Sequence, residues 1–98
     1  MQRAAKFSLG QIVATPAALE ALAESGQTPE FFIAKHHAGD WGIVNEDDRQ
    51  LNLAALEDGS RILSAYKTLR GVKIWVITEA TDDNGIRAAT TILTPEDY

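Results

Sequence analysis

The stretch RILSAYKTLRGVKIWVITE, residues 61–79, decides the fold. Upstream of it apolar residues recur every three to four positions; within it they alternate, and β-branched and aromatic residues take over. RILSAYKT and VKIWVITE therefore read as two strands joined through Leu69-Arg70-Gly71 as a hairpin. A second turn, TDDNG at 81–85, leads to a third run ending in AATTILT, so residues 61–94 predict a three-stranded antiparallel meander. With a two-residue turn at the first hairpin, Leu63, Ala65, Val72, Ile74 and Val76 share a core face. Ile62, Ser64, Tyr66, Lys73, Trp75 and Ile77 then share the other. A three-residue turn exchanges this parity. The second face, half apolar and half polar, has the make-up of a partner surface or a shallow ligand site.

Working back toward the N-terminus, the helical period returns. Asn45 or Asp47 can cap a helix through RQLNLAALED, with Leu53, Leu56, Ala54 and Ala55 as its buried stripe and Gly59 as its exit. Thr28-Pro29 followed by Glu30 starts another, on which Phe32, Ile33 and His36 share a side, with Phe31 and Ala34 close by, and which stops at Gly39. Thr15-Pro16 starts a third, with Ala18, Leu19, Leu22 and Ala23 facing inward and Ser25-Gly26 at its end. Before it, KFSLGQIVA at 6–14 reads as a β-run with a bend or bulge at Gly10. Thr94-Pro95 repeats the cap signature. The fold class that follows is α+β in a single domain over residues 1–98: an N-terminal strand, two to three helices, then the meander packed against them, with four strands if the first joins the sheet.

Composition narrows the function classes. The chain has 98 residues, 45% of them hydrophobic, enough for one core but not for two. The net charge of −5 and the scatter of Lys and Arg along the chain argue against duplex DNA as a partner. Cysteine is absent, which removes disulfides, thiolate nucleophiles and Cys-based zinc sites together. The opening MQRAAKF leads into no apolar stretch of signal-peptide length and nothing approaches a membrane span, so a cytoplasmic protein is the simplest expectation.

The residues most able to carry chemistry lie in AKHHAGDWG, 34–42. His36 and His37 are adjacent on a helix, about 100° apart, so both cannot face one metal ion, and His36 with Asp40 supplies only two ligands. No metal site is expected, nor any cofactor, since no P-loop, GxGxxG, GxSxG or HExxH occurs. TDDNG lacks calcium-loop spacing, and Glu46, Asp47 and Asp48 read as first-turn helix charges. Imidazole can instead act as a general acid or base. A metal-independent ribonuclease needs a group to take the 2′-OH proton, a second to protonate the leaving oxygen, and a cation or hydroxyl to hold the phosphate. His36, His37, Arg61, Ser64 and Tyr66 are the catalytic candidates, with Lys73 and Thr90 or Thr91 in the same inventory. The alternative for the histidines is a helix exit at which they satisfy free carbonyls. Asp40, Trp41, Lys73 and Trp75 are the binding candidates, the tryptophans also fitting plain packing roles.

Taken together, FSLGQIVATPAALEAL, GDWG, RILSAY, KIWVITEA and TTILTPEDY resemble a family of small bacterial proteins carried on plasmids and other mobile elements. Members are sometimes labelled as a subunit of a type I restriction methyltransferase. This chain has no glycine-rich S-adenosylmethionine loop and no NPPF-like tetrapeptide, and that label does not fit it. The resemblance implies an accessory role for mobile DNA, of which interference with a host defence system is one form, and carries over no site residue. Two readings follow. A non-enzymatic interaction protein, with an unknown protein partner or a second copy paired along a sheet edge, requires a flat face centred on Trp75. A ribonuclease requires His36, Arg61 and Tyr66 to converge in one solvent-reached pocket.

Overall fold

The computed structural model describes residues 7–98; the opening MQRAAK, which holds most of the segment weighed as a leader and the first residue of the KFSLGQIVA run, lies outside the described residues. The elements run β1 (Gln11–Ala14), α1 (Pro16–Ser25), α2 (Pro29–His37), α3 (Glu46–Asp58), β2 (Ile62–Lys67), β3 (Lys73–Thr78), β4 (Ala89–Leu93) and a 3₁₀ turn (Pro95–Asp97). The fold is α+β. Its four strands make one mixed sheet in the order β1-β4-β3-β2, in which β2–β3 and β3–β4 are antiparallel and β1 lies parallel to β4. The sheet is thus not the simple antiparallel meander that the sequence suggests. Hydropathy cannot specify the parallel pair, because its two strands are brought together by a crossover that spans all three helices and both hairpins.

The helix boundaries follow the capping residues. Thr15 accepts the N–H of Ala18 at 3.2 Å with Pro16 in the first turn, and α1 closes on left-handed Gly26, with Gln27 N–H donating to the Leu22 carbonyl. At the exit of α2, Gly39 (φ 87°) sends its N–H to His36 and Asp40 sends its N–H to Lys35. Asn45 Oδ1 caps α3 through the N–H of Asp48 at 2.8 Å. Ala14 and Ile92 are partners in the parallel pair, so the two Thr-Pro punctuation marks end up side by side. Asp97 Oδ2 there accepts the hydroxyls of both Thr15 (2.6 Å) and Thr94 (3.0 Å), which ties the last turn to the start of α1.

Two buried stripes differ from expectation. On α1, Ala21 is buried beside Ala18 and Leu22, while Leu19 and Ala23 face out. On α3, Leu53 and Ala54 are exposed, Leu56 is half-buried, and Asn52 and Ala55 form the inward face. The helix is turned so that Asn52 meets the sheet edge. On α2 the stripe Phe32, Ile33 and His36 is buried as its spacing indicates.

The β2–β3 hairpin corrects the assignment of faces. Gly71 N–H donates to the Thr68 carbonyl, Thr68 N–H donates to Val72, and Gly71 sits at φ 84°, so the loop is the three residues Leu69-Arg70-Gly71 with a left-handed closing glycine. Ser64 therefore pairs with Val76, not with Trp75, and Tyr66 with Ile74. A one-residue shift turns every β2 side chain over. Ile62, Ser64 and Tyr66 join Ile74, Val76, Thr78, Thr90 and Ile92 on the helix-facing side, where Tyr66, Ile74, Val76 and Ile92 pack against Ala18, Ala21, Leu22, Phe32 and Ile33. Leu63, Ala65, Lys67, Lys73, Trp75, Ile77, Thr91 and Leu93 form the other side.

The β2 edge is covered rather than open. Asn52 donates to the Leu63 carbonyl at 2.6 Å and accepts the Leu63 N–H at 3.0 Å, as a neighbouring strand would. Two residues along, Ala65 exchanges backbone bonds with Trp41 and Ile43. At Leu63 and Ala65 the β2 edge is thus occupied from within the chain, and among the described residues the four-residue β1 is the sheet's other edge strand.

Candidate functional site

AKHHAGDWG is a helix exit built into the core. The α2 stripe carries His36 to the centre of the sheet, where it is fully buried. Its Nδ1 lies 2.5 Å from Ser64 Oγ and its Nε2 lies 2.8 Å from Thr78 Oγ1; Thr78 Oγ1 is 2.7 Å from Thr90 Oγ1, which donates to the Leu9 carbonyl at 2.8 Å. That last bond orients the whole series. The Thr90 hydrogen is committed to Leu9, so Thr78 must donate to Thr90. His36 must then donate from Nε2 to Thr78, and Ser64 donates to Nδ1. The imidazole is the neutral Nε2–H tautomer, and the two threonine hydroxyls each give one hydrogen bond and receive another.

Burial, with the charges of His37 and Arg87 adding to it, pulls the His36 pKa down to about 3. An imidazole so enclosed, with both ring nitrogens hydrogen-bonded and a pKa so far below neutral pH, stays uncharged within the core. Phe7 closes the site from the N-terminal side, edge-on to His36 at 5.2 Å and to His37 at 5.6 Å, and stacked on Trp41 at 6.1 Å. His37 Nε2 donates to the Phe7 carbonyl at 2.7 Å, which belongs to the N-terminal segment and not to the α2 exit.

The remaining residues of the segment are equally committed. The Asp40 carbonyl accepts the Tyr66 hydroxyl at 2.5 Å, its Oδ1 accepts the Gly42 N–H at 3.2 Å, and its Oδ2 lies 3.5 Å from Lys35 Nζ. Burial raises the Tyr66 pKa well above its ordinary value. Trp41 is buried against Ala55 and Ile62. Gly42 has φ 75°, and a Cβ there would stand 2.0 Å from the Ala65 carbonyl oxygen, so glycine alone lets this loop lie along β2.

His36, Ser64 and Tyr66 thus lie together on the helix-facing side, sealed, with His37 at the rim. Arg61 is on the opposite side of the sheet, its guanidinium donating to the Tyr98 hydroxyl and lying over that ring at 5.7 Å. The three groups that a ribonuclease would need in one solvent-reached pocket are not brought together. Among the described residues no cluster of three or more His, Asp or Glu could hold a metal ion. No described helix is long and apolar enough to cross a membrane.

Known families, curated proteins and solved structures were compared with the chain, and none matches. What can be said of its site rests on its own geometry.

That geometry directs attention to the side of the sheet that no helix covers. Trp75 is half-buried at its centre, between Ala65 on β2 and Leu93 on β4, and Tyr98 stands edge-on to it at 5.6 Å. Beside them Arg61, Ile77, Glu79, Thr91, Leu93 and Tyr98 line a shallow depression of about 280 Å³. Lys67 and Lys73 are directly opposite one another at the hairpin end of the same face. Of the sequence candidates, Arg61, Lys73 and Trp75 lie on this face. Tyr98 and Lys67 are additions, Lys67 because the two-residue turn gave its strand the wrong parity and Tyr98 because it is brought here by the turn that follows β4.

Sequence reading also misses Arg87, two residues beyond the turn TDDNG. It is buried, donates to the carbonyls of Ser60 (2.8 Å), Glu79 (2.9 Å) and Ala55 (3.0 Å), and lies over the Phe7 ring at 5.8 Å. Burial lowers its pKa from the usual arginine value, yet three carbonyls at the C-terminal end of α3 and its surroundings supply the partial negative charge it needs.

Proposed function

We propose that this chain is a non-enzymatic binding module, an accessory protein of bacterial mobile DNA, that engages its partner through the uncovered sheet face centred on Trp75. One observation carries the reading: all three α-helices pack on one side of the sheet, and the other side keeps a half-buried tryptophan, an exposed tyrosine and three cations that no α-helix among the described residues covers. A half-buried aromatic beside exposed cations is the composition of an interface anchor. The GDWG segment serves this surface indirectly, by closing the β2 edge so that association is steered to the face.

The test is a pull-down from bacterial lysate with the wild-type chain and with Trp75→Ala, both first shown to be folded by circular dichroism. Components retained by the wild type and lost by the variant support the reading. A retained set that Trp75→Ala leaves unchanged, or nothing specific retained by either form, refutes it.

A further inference from the structure

Charge in this chain is divided between the two sides of the sheet. Between residues 16 and 60, where the helices lie, acids outnumber the cations Lys35 and Arg49 by more than four to one. From residue 61 to 78 the order reverses: Arg61, Lys67, Arg70 and Lys73 occur with no Asp or Glu among them. The sequence reading of scattered cations is corrected by the fold, which puts Arg61, Lys67 and Lys73 on the uncovered face and Arg70 at the tip of its hairpin. A protein of net charge −5 therefore carries three cations against the one carboxylate of Glu79 on this face.

Folding does not account for that face. Lys67 and Lys73 are cross-strand partners, and like charges directly opposite destabilise a hairpin. The ion pairs among the described residues, Lys35–Asp40 and Arg49–Glu46, involve neither. An anion lying between the two ammonium groups would reverse their repulsion. The aromatic groups complete the pattern: Trp75 lies two residues from Lys73 on the same face, and Tyr98 is 71% exposed with the Arg61 guanidinium over its ring.

Resting on the reading of this face as a binding surface, we infer that its partner is single-stranded RNA. Phosphates take Lys67, Lys73 and Arg61, and bases take the Trp75 and Tyr98 rings, the pairing of cation track and stacking platform that unpaired nucleic acid requires. Arg61 immediately precedes β2 and Lys67 ends it, a span of about 20 Å at strand rise, room for a short run of nucleotides. A duplex hides its bases from a flat face, and the helices that could enter a groove are acidic. Glu79 and Thr91 line the depression beside Arg61. A carboxylate there is adverse to a phosphate but accepts a ribose 2′-OH, which favours RNA over DNA.

Fluorescence anisotropy with a labelled mixed-sequence 12-nucleotide RNA tests this, alongside the DNA of the same sequence and an acidic 12-residue peptide. With three phosphates neutralised, affinity should fall about 20-fold between 50 and 200 mM salt. Lys67→Glu/Lys73→Glu and Trp75→Ala should each weaken RNA binding at least tenfold, and Arg49→Glu, on the helical side, should leave it unchanged. Equal affinity for the DNA overturns the choice of RNA. No RNA binding at 50 mM salt, or binding indifferent to both face variants, overturns the inference altogether. If the acidic peptide binds instead, or the lysate components still depend on Trp75, the binding face stands and its partner is a protein; if neither occurs, both fall.

Discussion

Lowering the pH should destabilise this protein well before its carboxylates protonate, through His36. In the unfolded chain its imidazole has a pKa near 6.5; in the fold, burial first and the charges of His37 and Arg87 next bring it to about 3. Between those values the unfolded state binds the proton and the folded state does not, so stability is full above about 6.5 and declines as pH falls, levelling off below about 3. The slope is about 1.4 kcal/mol per pH unit, so the loss at pH 4.5 is roughly 3 kcal/mol, a large part of the 5–15 kcal/mol that holds a typical domain. Asp58 and Asp97, whose hydrogen bonds lower their pKa values, surrender their contribution only below the ordinary carboxylate range and do not confuse this window. Urea denaturation followed by circular dichroism at several pH values from 7 to 4.5 measures the slope, and His36→Gln should flatten it. Should that variant fail to fold, imidazole ¹⁵N shifts of the wild type still decide: His36 should keep the Nε2–H pattern throughout. A His36 resonance that titrates near pH 6, with stability independent of pH, would refute the reasoning.

Asn52→Ala strips the partners from both backbone groups of Leu63 and should cost roughly 2–4 kcal/mol, read by urea denaturation; a loss under about 0.5 kcal/mol would mean that water replaces the side chain at an open edge. Gly42→Ala and Gly71→Ala together separate backbone strain from contact. Both positions are left-handed, but a Cβ at Gly71 meets nothing within 4 Å and one at Gly42 meets the Ala65 carbonyl. Thermal denaturation should show Gly71→Ala losing about 1–2 kcal/mol and Gly42→Ala losing far more; equal losses would show that the Trp41–Ile43 loop is free to move off β2.

How much of this was legible varies with the range of the interaction that fixes it. Helix limits were plain because Thr15-Pro16, Asn45, Gly26 and Gly59 act within a turn of their own positions. The change of period at Arg61 located the strands for the same reason. The β2 faces depended on one fact, whether Gly71 belongs inside the turn, and that is fixed by its left-handed backbone and by Thr68 bonding across the loop. The parallel β1–β4 pair and the inward path of Arg87 were invisible, since each is set by residues dozens of positions away. The histidine pair was conspicuous for its chemistry, yet His36 shares a helix side with Phe32 and Ile33, and that side is the buried one.

The buried histidine and the open face are connected through one strand. β2 turns Ser64 and Tyr66 toward α2 and its exit, and Leu63, Ala65 and Lys67 toward the uncovered side, so a single register places both sets. A neutral imidazole bonded to Ser64 and Thr78 holds β2 and β3 in that register from behind, because a slip of one residue would withdraw Ser64 and leave Nδ1 buried without a partner. The same slip would part Lys67 from Lys73 and carry Arg61 away from Tyr98. Polar groups that make an unusual core costly to mispair are therefore what a flat binding face needs beneath it: they contribute no contact to a partner, but they fix the spacing of the groups that do.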